Sequence, residues 1–205
     1  MDLEAFEQNI QWAKKHALGK KIRVATKSIR CLSLIKQVLA SDPVFQGVMA
    51  FTLEEALWLR KNGVSDILLG YPTTDAVSLR ELAADPTGIT LMIDRPEHVE
   101  LLQKYQAPFR VCVDVDLSLD LPFVRFGVYR SAIVSLATLD HLLNSLKGTS
   151  LRLVGLMGYE AQVAGVMDKE SALMRFLKAR SIPKLRARRA GLVAHLKARG
   201  LELEL

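Results

Sequence analysis

The chain has 205 residues, half of them apolar and 24% charged, with a mean hydropathy of +0.16. That is enough apolar material for a core and excludes a disordered chain. No apolar run reaches the roughly 18–20 residues of a bilayer span, so no transmembrane helix is expected. The net charge of +6 is local: residues 169–205 hold ten Lys/Arg against three Asp/Glu, and the rest is close to neutral.

About 150 residues per domain gives one domain, at most one and a half. The start, Met-Asp-Leu-Glu-Ala-Phe-Glu-Gln-Asn-Ile-Gln-Trp-Ala-Lys-Lys, is acidic and then amphipathic. It lacks the basic-then-apolar order of a secretory signal, so the expected location is the cytoplasm. Cys31 and Cys112 show neither a disulfide framework nor metal-ligand spacing and read as reduced, buried thiols.

Along the chain, short β-rich runs alternate with longer stretches at helical spacing. Strands are predicted over 22–26, 48–52, 66–69, 89–93, 110–116, 151–156 and 201–205. Helices are predicted over 32–40, 53–62, 76–83, 96–105, 135–146 and 170–199, the last broken at Pro183, which removes a helical hydrogen bond. Thr52 and Asp94 read as helix N-caps, and Asn62-Gly63 closes the second helix. Strands this apolar, alternating with helices, indicate a parallel sheet covered by helices. A barrel and a doubly wound sheet both fit, although no G-x-G-x-x-G follows the first strand. A (β/α)₈ barrel takes about 250 residues. Six units and a seventh strand, ending on Leu-Glu-Leu-Glu-Leu, lead us to expect part of a longer protein.

Lys27 is the first candidate for chemistry. Alternation puts Arg23, Ala25 and Lys27 on one strand face, opposite Ile22, Val24 and Thr26. With Ile22 and Val24 against the helices, Lys27 would point into a barrel at its C-terminal mouth, where parallel barrels carry their active sites. The plainer reading is a lysine reaching water from a strand end. Asp114 and Asp116 share a face of the fifth strand. Hard cations want more oxygens than this pair offers, so a hydrogen-bonded or arginine-paired role is the favoured reading. His16, His98, His141 and His195 fall on predicted helices and read as isolated and solvent-facing. Tyr71-Pro72 ends the third strand, with Tyr71 a candidate wall of a site.

Residues 25–31, Ala-Thr-Lys-Ser-Ile-Arg-Cys, resemble the first-strand lysine segment of the fold-type III pyridoxal-phosphate (PLP) enzymes. Within that group the similarity is to the amino-acid deaminase/aldolase branch, with D-threonine aldolase, D-serine dehydratase and the alanine racemase barrel. Phe51-Thr-Leu-Glu-Glu-Ala and Gly63-Val-Ser-Asp-Ile-Leu-Leu-Gly-Tyr-Pro resemble its second and third units. Val113-Asp-Val-Asp with Arg125-Phe-Gly-Val resembles its fifth strand and R-x-G segment. Leu153-Val-Gly-Leu-Met-Gly-Tyr-Glu-Ala-Gln-Val-Ala-Gly resembles its sixth strand.

The resemblance implies a PLP-binding barrel over residues 1–205, truncated in its seventh unit and without the family's C-terminal β domain. It implies PLP as cofactor, held as a Schiff base on Lys27, the catalytic residue, with the cofactor as electron sink. Arg125 matches the arginine near the cofactor's phenolate, with Arg130 of Tyr129-Arg130-Ser131 as a rival. Tyr159 and Gln162 would line cofactor or substrate, and Tyr159 reads equally as a packing residue. Longer relatives also carry a divalent metal, for which this chain offers no identified ligands. The glycine-rich phosphate segment of relatives follows the seventh strand and is not found here.

The leading reading is a PLP-dependent lyase on a small hydroxy amino acid, of the D-threonine aldolase or D-serine dehydratase kind. Aldol cleavage and loss of water stay open, as does a homodimer. The alternative is a PLP-binding homeostasis or carrier protein without turnover. A third reading, a nucleic-acid binder using Lys184–Arg189, finds no interleaved aromatics for stacking, and a solvated helix face explains that run equally well. Neither a specific nucleic acid nor a membrane is expected as a partner.

Overall fold

The computed structural model describes residues 2–120, 125–164 and 172–204. The chain divides into two compact units, Met1–Met92 with Tyr105–Arg110, and Ile93–Lys104 with Val111–Leu205.

In the first unit, α1 (Leu3–His16) starts at Asp2, whose carboxylate accepts from the Ala5 amide at 3.0 Å. Four parallel strands follow in sequence order: β1 (Ile22–Ala25), β2 (Phe45–Ala50), β3 (Ile67–Leu69) and β4 (Ile89–Ile93, as far as Met92). Each is joined to the next by a helix: α2 (Leu32–Ser41), α3 (Leu53–Lys61) and α4 (Ala76–Ala84). All of β3 and β4 is buried, as strands covered on both faces require. Val48, Ala50, Ile67 and Leu69 are at most 1% exposed, as are Leu53, Ala56, Leu79 and Leu82 of the helices. Thr52 caps α3 as its sequence predicts, accepting from the Glu55 amide at 3.2 Å.

The second strand is displaced from its predicted range by a bulge. Ile22 pairs with Phe45 and Val24 with Val48, so β2 spends one extra residue there. Gly47 absorbs it at φ +66°, where a Cβ would overlap the Asp66 carbonyl and press on Arg23 Nη1. The Arg23 guanidinium then ties three strands together. Its Nη1 donates to the Asp66 and Val48 carbonyls at 2.6 and 3.3 Å, and its Nη2 to both Asp66 carboxylate oxygens at 3.0 Å.

The second unit holds α5 (Pro96–Gln103), β5 (Arg110–Val115, from Val111 onward), α6 (Leu136–Ser145), β8 (Arg152–Gly158), α7 (Ala161–Ala164) and α8 (Ala172–Ala198). Between β5 and α6 lies a short antiparallel pair, β6 (Leu119–Asp120) with β7 (Arg125–Phe126). β5 and β8 are hydrogen-bonded neighbours. A capping box of Ser135 and Thr138 starts α6.

Several sequence expectations are corrected here. Asp94 is not the N-cap of α5. Arg95 holds that position, and the Asp94 carboxylate turns instead to the Ala132 amide. α8 is not broken at Pro183 but runs through it, the cost of an interior proline, about 3 kcal/mol or more, being offset by the burial of Ser181, Leu185, Leu192 and Leu196 on the same helix. The predicted seventh strand is not formed over 201–204. The Glu204 amide donates to the Val154 carbonyl at 2.8 Å, but one bond is not a ladder. His195 is not isolated: its Nε2 lies 2.6 Å from Asp140 Oδ1, which Arg199 also reaches at 2.8 Å, joining α8 to α6. His98 is not isolated either, standing 3.1 Å from Asp94 Oδ1 one helical turn away.

Candidate functional site

In the first unit the candidate residues stand at the C-terminal edge of the parallel strands. β1 ends one residue earlier than predicted, at Ala25. Thr26–Ser28 form a single 3₁₀ turn there. Thr26 is fully buried and its hydroxyl donates to the Met49 carbonyl at 3.2 Å, anchoring the turn. Lys27 follows and is exposed. It does not sit on the strand proper, so its direction comes from the turn and not from strand alternation. Phe51 and Tyr71 occupy the same edge, one residue beyond the end of β2 and two beyond β3. Their rings meet edge to face at 5.2 Å.

In the second unit, the end of β5 carries a polar cluster. Asp114 is 3% exposed. Its Oδ2 accepts from Arg130 Nε at 2.9 Å, while its Oδ1 has no hydrogen-bond partner among the described residues. Burial pushes the Asp114 carboxyl up to about 6. Arg130 opposes the rise, and the nearby Asp94 and Asp116 charges add to it. Arg130 also donates from Nη2 to Met157 Sδ at 3.4 Å, and its guanidinium carbon lies 5.4 Å from the Tyr159 ring centroid. Asp116 accepts from the Ser118 amide at 2.8 Å and hydroxyl at 3.2 Å. Asp114 is thus arginine-paired and Asp116 hydrogen-bonded, the role favoured for this pair from sequence. Among the described residues no group of three or more His, Cys, Asp or Glu is disposed to hold a metal ion.

The segment carrying Arg130 is tied to the strand end at several points. Ser131 donates to the Asp114 carbonyl at 2.7 Å, the Asp116 amide to the Ile133 carbonyl at 3.0 Å, and the Ala132 amide to Asp94 Oδ2 at 3.3 Å. Gly127, the glycine of Arg-Phe-Gly, adopts φ +154° against Ser118, where a Cβ would overlap the serine side chain. Tyr129 takes a left-handed φ of +43°, a conformation costly for a bulky residue and concentrated at functional segments. Asp94 is held by Arg95 and His98, and the hydrogen bonds of His98 and Ala132 outweigh its burial to keep its carboxyl below the usual range.

Of the residues named from sequence, Lys27 lies in the first unit, and Arg125, Tyr159 and Gln162 in the second. The Arg125 and Gln162 side chains fall outside the described residues. Tyr159 is 42% exposed and faces Arg130. The rival arginine, Arg130, is the one paired with Asp114. The sequence offered a signal for it, an arginine flanked by Tyr and Ser after an Asp-x-Asp strand, but not its partner.

The sequence matches the family model described as alanine racemase, N-terminal domain, over residues 1–200. The chain belongs to this family. It is thereby one of the fold-type III PLP enzyme group. By structure it is similar to D-threonine aldolase from Filomicrobium marinum, at 22% identity and a TM-score of 0.78, covering all of this chain and 53% of that one. D-threo-3-hydroxyaspartate dehydratase from Delftia sp. HT23 matches at 16% identity and TM-score 0.72, covering 100% and 52%. Alanine racemase from Clostridium difficile 630 matches at 15% and 0.64, covering 98% and 51%. The chain spans about half the length of these solved structures. No curated protein matches it by sequence. Among the described residues no helix is long and apolar enough to cross a membrane.

Proposed function

We propose that the chain is the PLP-binding portion of a lyase acting on a small hydroxy amino acid, with Lys27 as the amine that holds the cofactor's aldehyde carbon. The observation that carries this reading is Lys27 itself, an exposed amine at the C-terminal end of the first parallel strand, fixed by a turn whose Thr26 is buried and hydrogen-bonded. Family membership supports it, and so does similarity to two hydroxy-amino-acid enzymes at the level of fold. The residues fit the group. An aldehyde needs a reachable amine, and an anionic aromatic cofactor needs cationic and aromatic side chains. Arg130 and Tyr159 supply both types in the second unit, and Phe51 and Tyr71 supply aromatic rings in the first. When bound, PLP supplies an electron sink for bond cleavage at the amino-acid α-carbon. The chain's own part would be to hold it: in the first unit Lys27 would tether its aldehyde carbon, and in the second Asp114 and Tyr159 hold Arg130, a cation suited to an anionic group.

Producing the protein with PLP should give a visible absorbance band that borohydride abolishes, leaving a pyridoxyl adduct that peptide mapping places on Lys27. Lys27→Ala should lack the band while keeping its thermal melt, since an exposed side chain contributes within about 0.5 kcal/mol to stability. An adduct on another lysine, or no band at all, refutes the assignment.

A further inference from the structure

The two arginine–aspartate pairs of this chain are built differently. Arg23 reaches both carboxylate oxygens of Asp66, and that aspartate is partly exposed. Arg130 reaches one oxygen of Asp114 through Nε, and the other oxygen is buried with no partner among the described residues. A buried acceptor left unmade costs about 1–3 kcal/mol, more when charged, so a pair kept only for stability would not be arranged this way.

Among the described residues of this unit the charges around Asp114 are few. On its own strand stands Asp116, satisfied by Ser118. From the junction of β4 and α5 comes Asp94, held by Arg95, His98 and the Ala132 amide. From the end of β8 come Met157 and Tyr159, both turned to Arg130. Arg130 is therefore the cation that balances Asp114, while the two neighbouring carboxylates disfavour its charge. An anion drawn to Arg130 adds a third negative group against Asp114 and cancels the charge that keeps it ionised.

We propose that this cluster is a proton-coupled anion site, in which binding of an anionic oxygen group at Arg130 is accompanied by uptake of one proton from solvent on Asp114 Oδ1. The inference rests on the cofactor reading above for the identity of the anion, a PLP-type phenolate or phosphate or an amino-acid carboxylate, but not for its physics. The carboxyl of Asp114, already lifted to about 6 by burial, needs only a small further rise to be protonated near neutral pH. Linkage fixes the sign. An anion that raises the carboxyl's midpoint by about one unit binds the protonated form about tenfold more tightly. Asp114→Asn, locked in a neutral form of the same shape, should therefore bind anions tighter than the native chain at pH 8, by about tenfold, and with less dependence on pH.

The test follows the Asp114 carboxyl by ¹³C NMR, assigned by its absence in Asp114→Asn. The probe is pyridoxine 5′-phosphate, an anion with no aldehyde to react with Lys27. The midpoint should lie near 6 in the free protein and rise by about one unit on saturation, with Asp114→Asn binding more tightly than native at pH 8. A midpoint unmoved by a bound probe, or weaker binding by Asp114→Asn, overturns the proposal. The second result would make Asp114 a simple clamp on Arg130. If pyridoxine 5′-phosphate does not bind, the cofactor reading alone fails. Acetate and inorganic phosphate then decide, since a midpoint raised by either sustains the site and one moved by neither removes it.

Discussion

Replacing Asp114 by Asn should make the protein more stable, above pH 6, than the native chain. The reasoning begins with burial, which lifts the carboxyl from 3.8 to about 6 even though Arg130 is beside it. Between roughly pH 4 and 6 the folded chain keeps a proton that the unfolded chain has already lost. Unfolding then releases a proton, so native stability from this group falls as pH rises through that window. Above 6 both states are ionised and the penalty is complete. A rise of about two units corresponds to roughly 3 kcal/mol, the upper bound for what Asn relieves, because it keeps an acceptor for Arg130 Nε without the buried charge. In a chain of this size that is a gain of at most about 6–12 °C in melting temperature. Urea unfolding followed by circular dichroism at pH 4 and pH 8 measures it. Native and variant should agree within about 1 kcal/mol at pH 4 and diverge at pH 8. A variant less stable than native at pH 8 would show that the pair with Arg130 outweighs the burial of the carboxylate.

Gly47→Ala should cost roughly 3 kcal/mol or more in urea unfolding, because its Cβ overlaps the Asp66 carbonyl, its φ is +66° and the Arg23 ties must loosen. A loss below about 1 kcal/mol would show that the bulge relaxes freely. Asp140→Asn should speed hydrogen exchange over residues 192–199 by weakening the contacts of His195 and Arg199. Those contacts hold the Asp140 carboxyl low, so native α8 should loosen only as pH falls into the carboxylate range. Unchanged exchange in Asp140→Asn at neutral pH would place the anchoring of α8 in its apolar contacts. The basic residues of α8 should bind DNA or RNA only weakly, and gel-shift affinity should fall steeply with salt. Sequence-preferring binding at physiological salt would overturn that expectation.

The order of strands and helices was written in the sequence because periodicity is a local property. Runs such as Ile89–Ile93 are buried on both faces and are apolar at every position but Thr90. Thr52 could be read as a cap because its bond spans three residues. The same local signals went wrong wherever a long-range contact outbid them. Asp94 has the type and place of an N-cap, yet the Ala132 amide, 38 residues away, draws its carboxylate off. Pro183 is a breaker in isolation and a passenger in a helix held by Leu185, Leu192 and Leu196. His195 reads as solvent-facing until α6 brings Asp140 against it.

The amino-acid sequence by itself settled the alternating β/α class, the family and the choice of Lys27 as the residue to test. The class rests on periodicity, and the family and the choice of Lys27 on the resemblance of ordered motifs, none of which needs neighbours in space. Only tertiary structure turned Arg130 from a rival into the arginine paired with Asp114, and exposed the unmatched oxygen of that aspartate. It also revealed the Arg23 tie across the Gly47 bulge. Each of these depends on how much water remains around a charge and which distant backbone approaches it. A carboxylate's energy is set by its surroundings in space, and no window of sequence contains them.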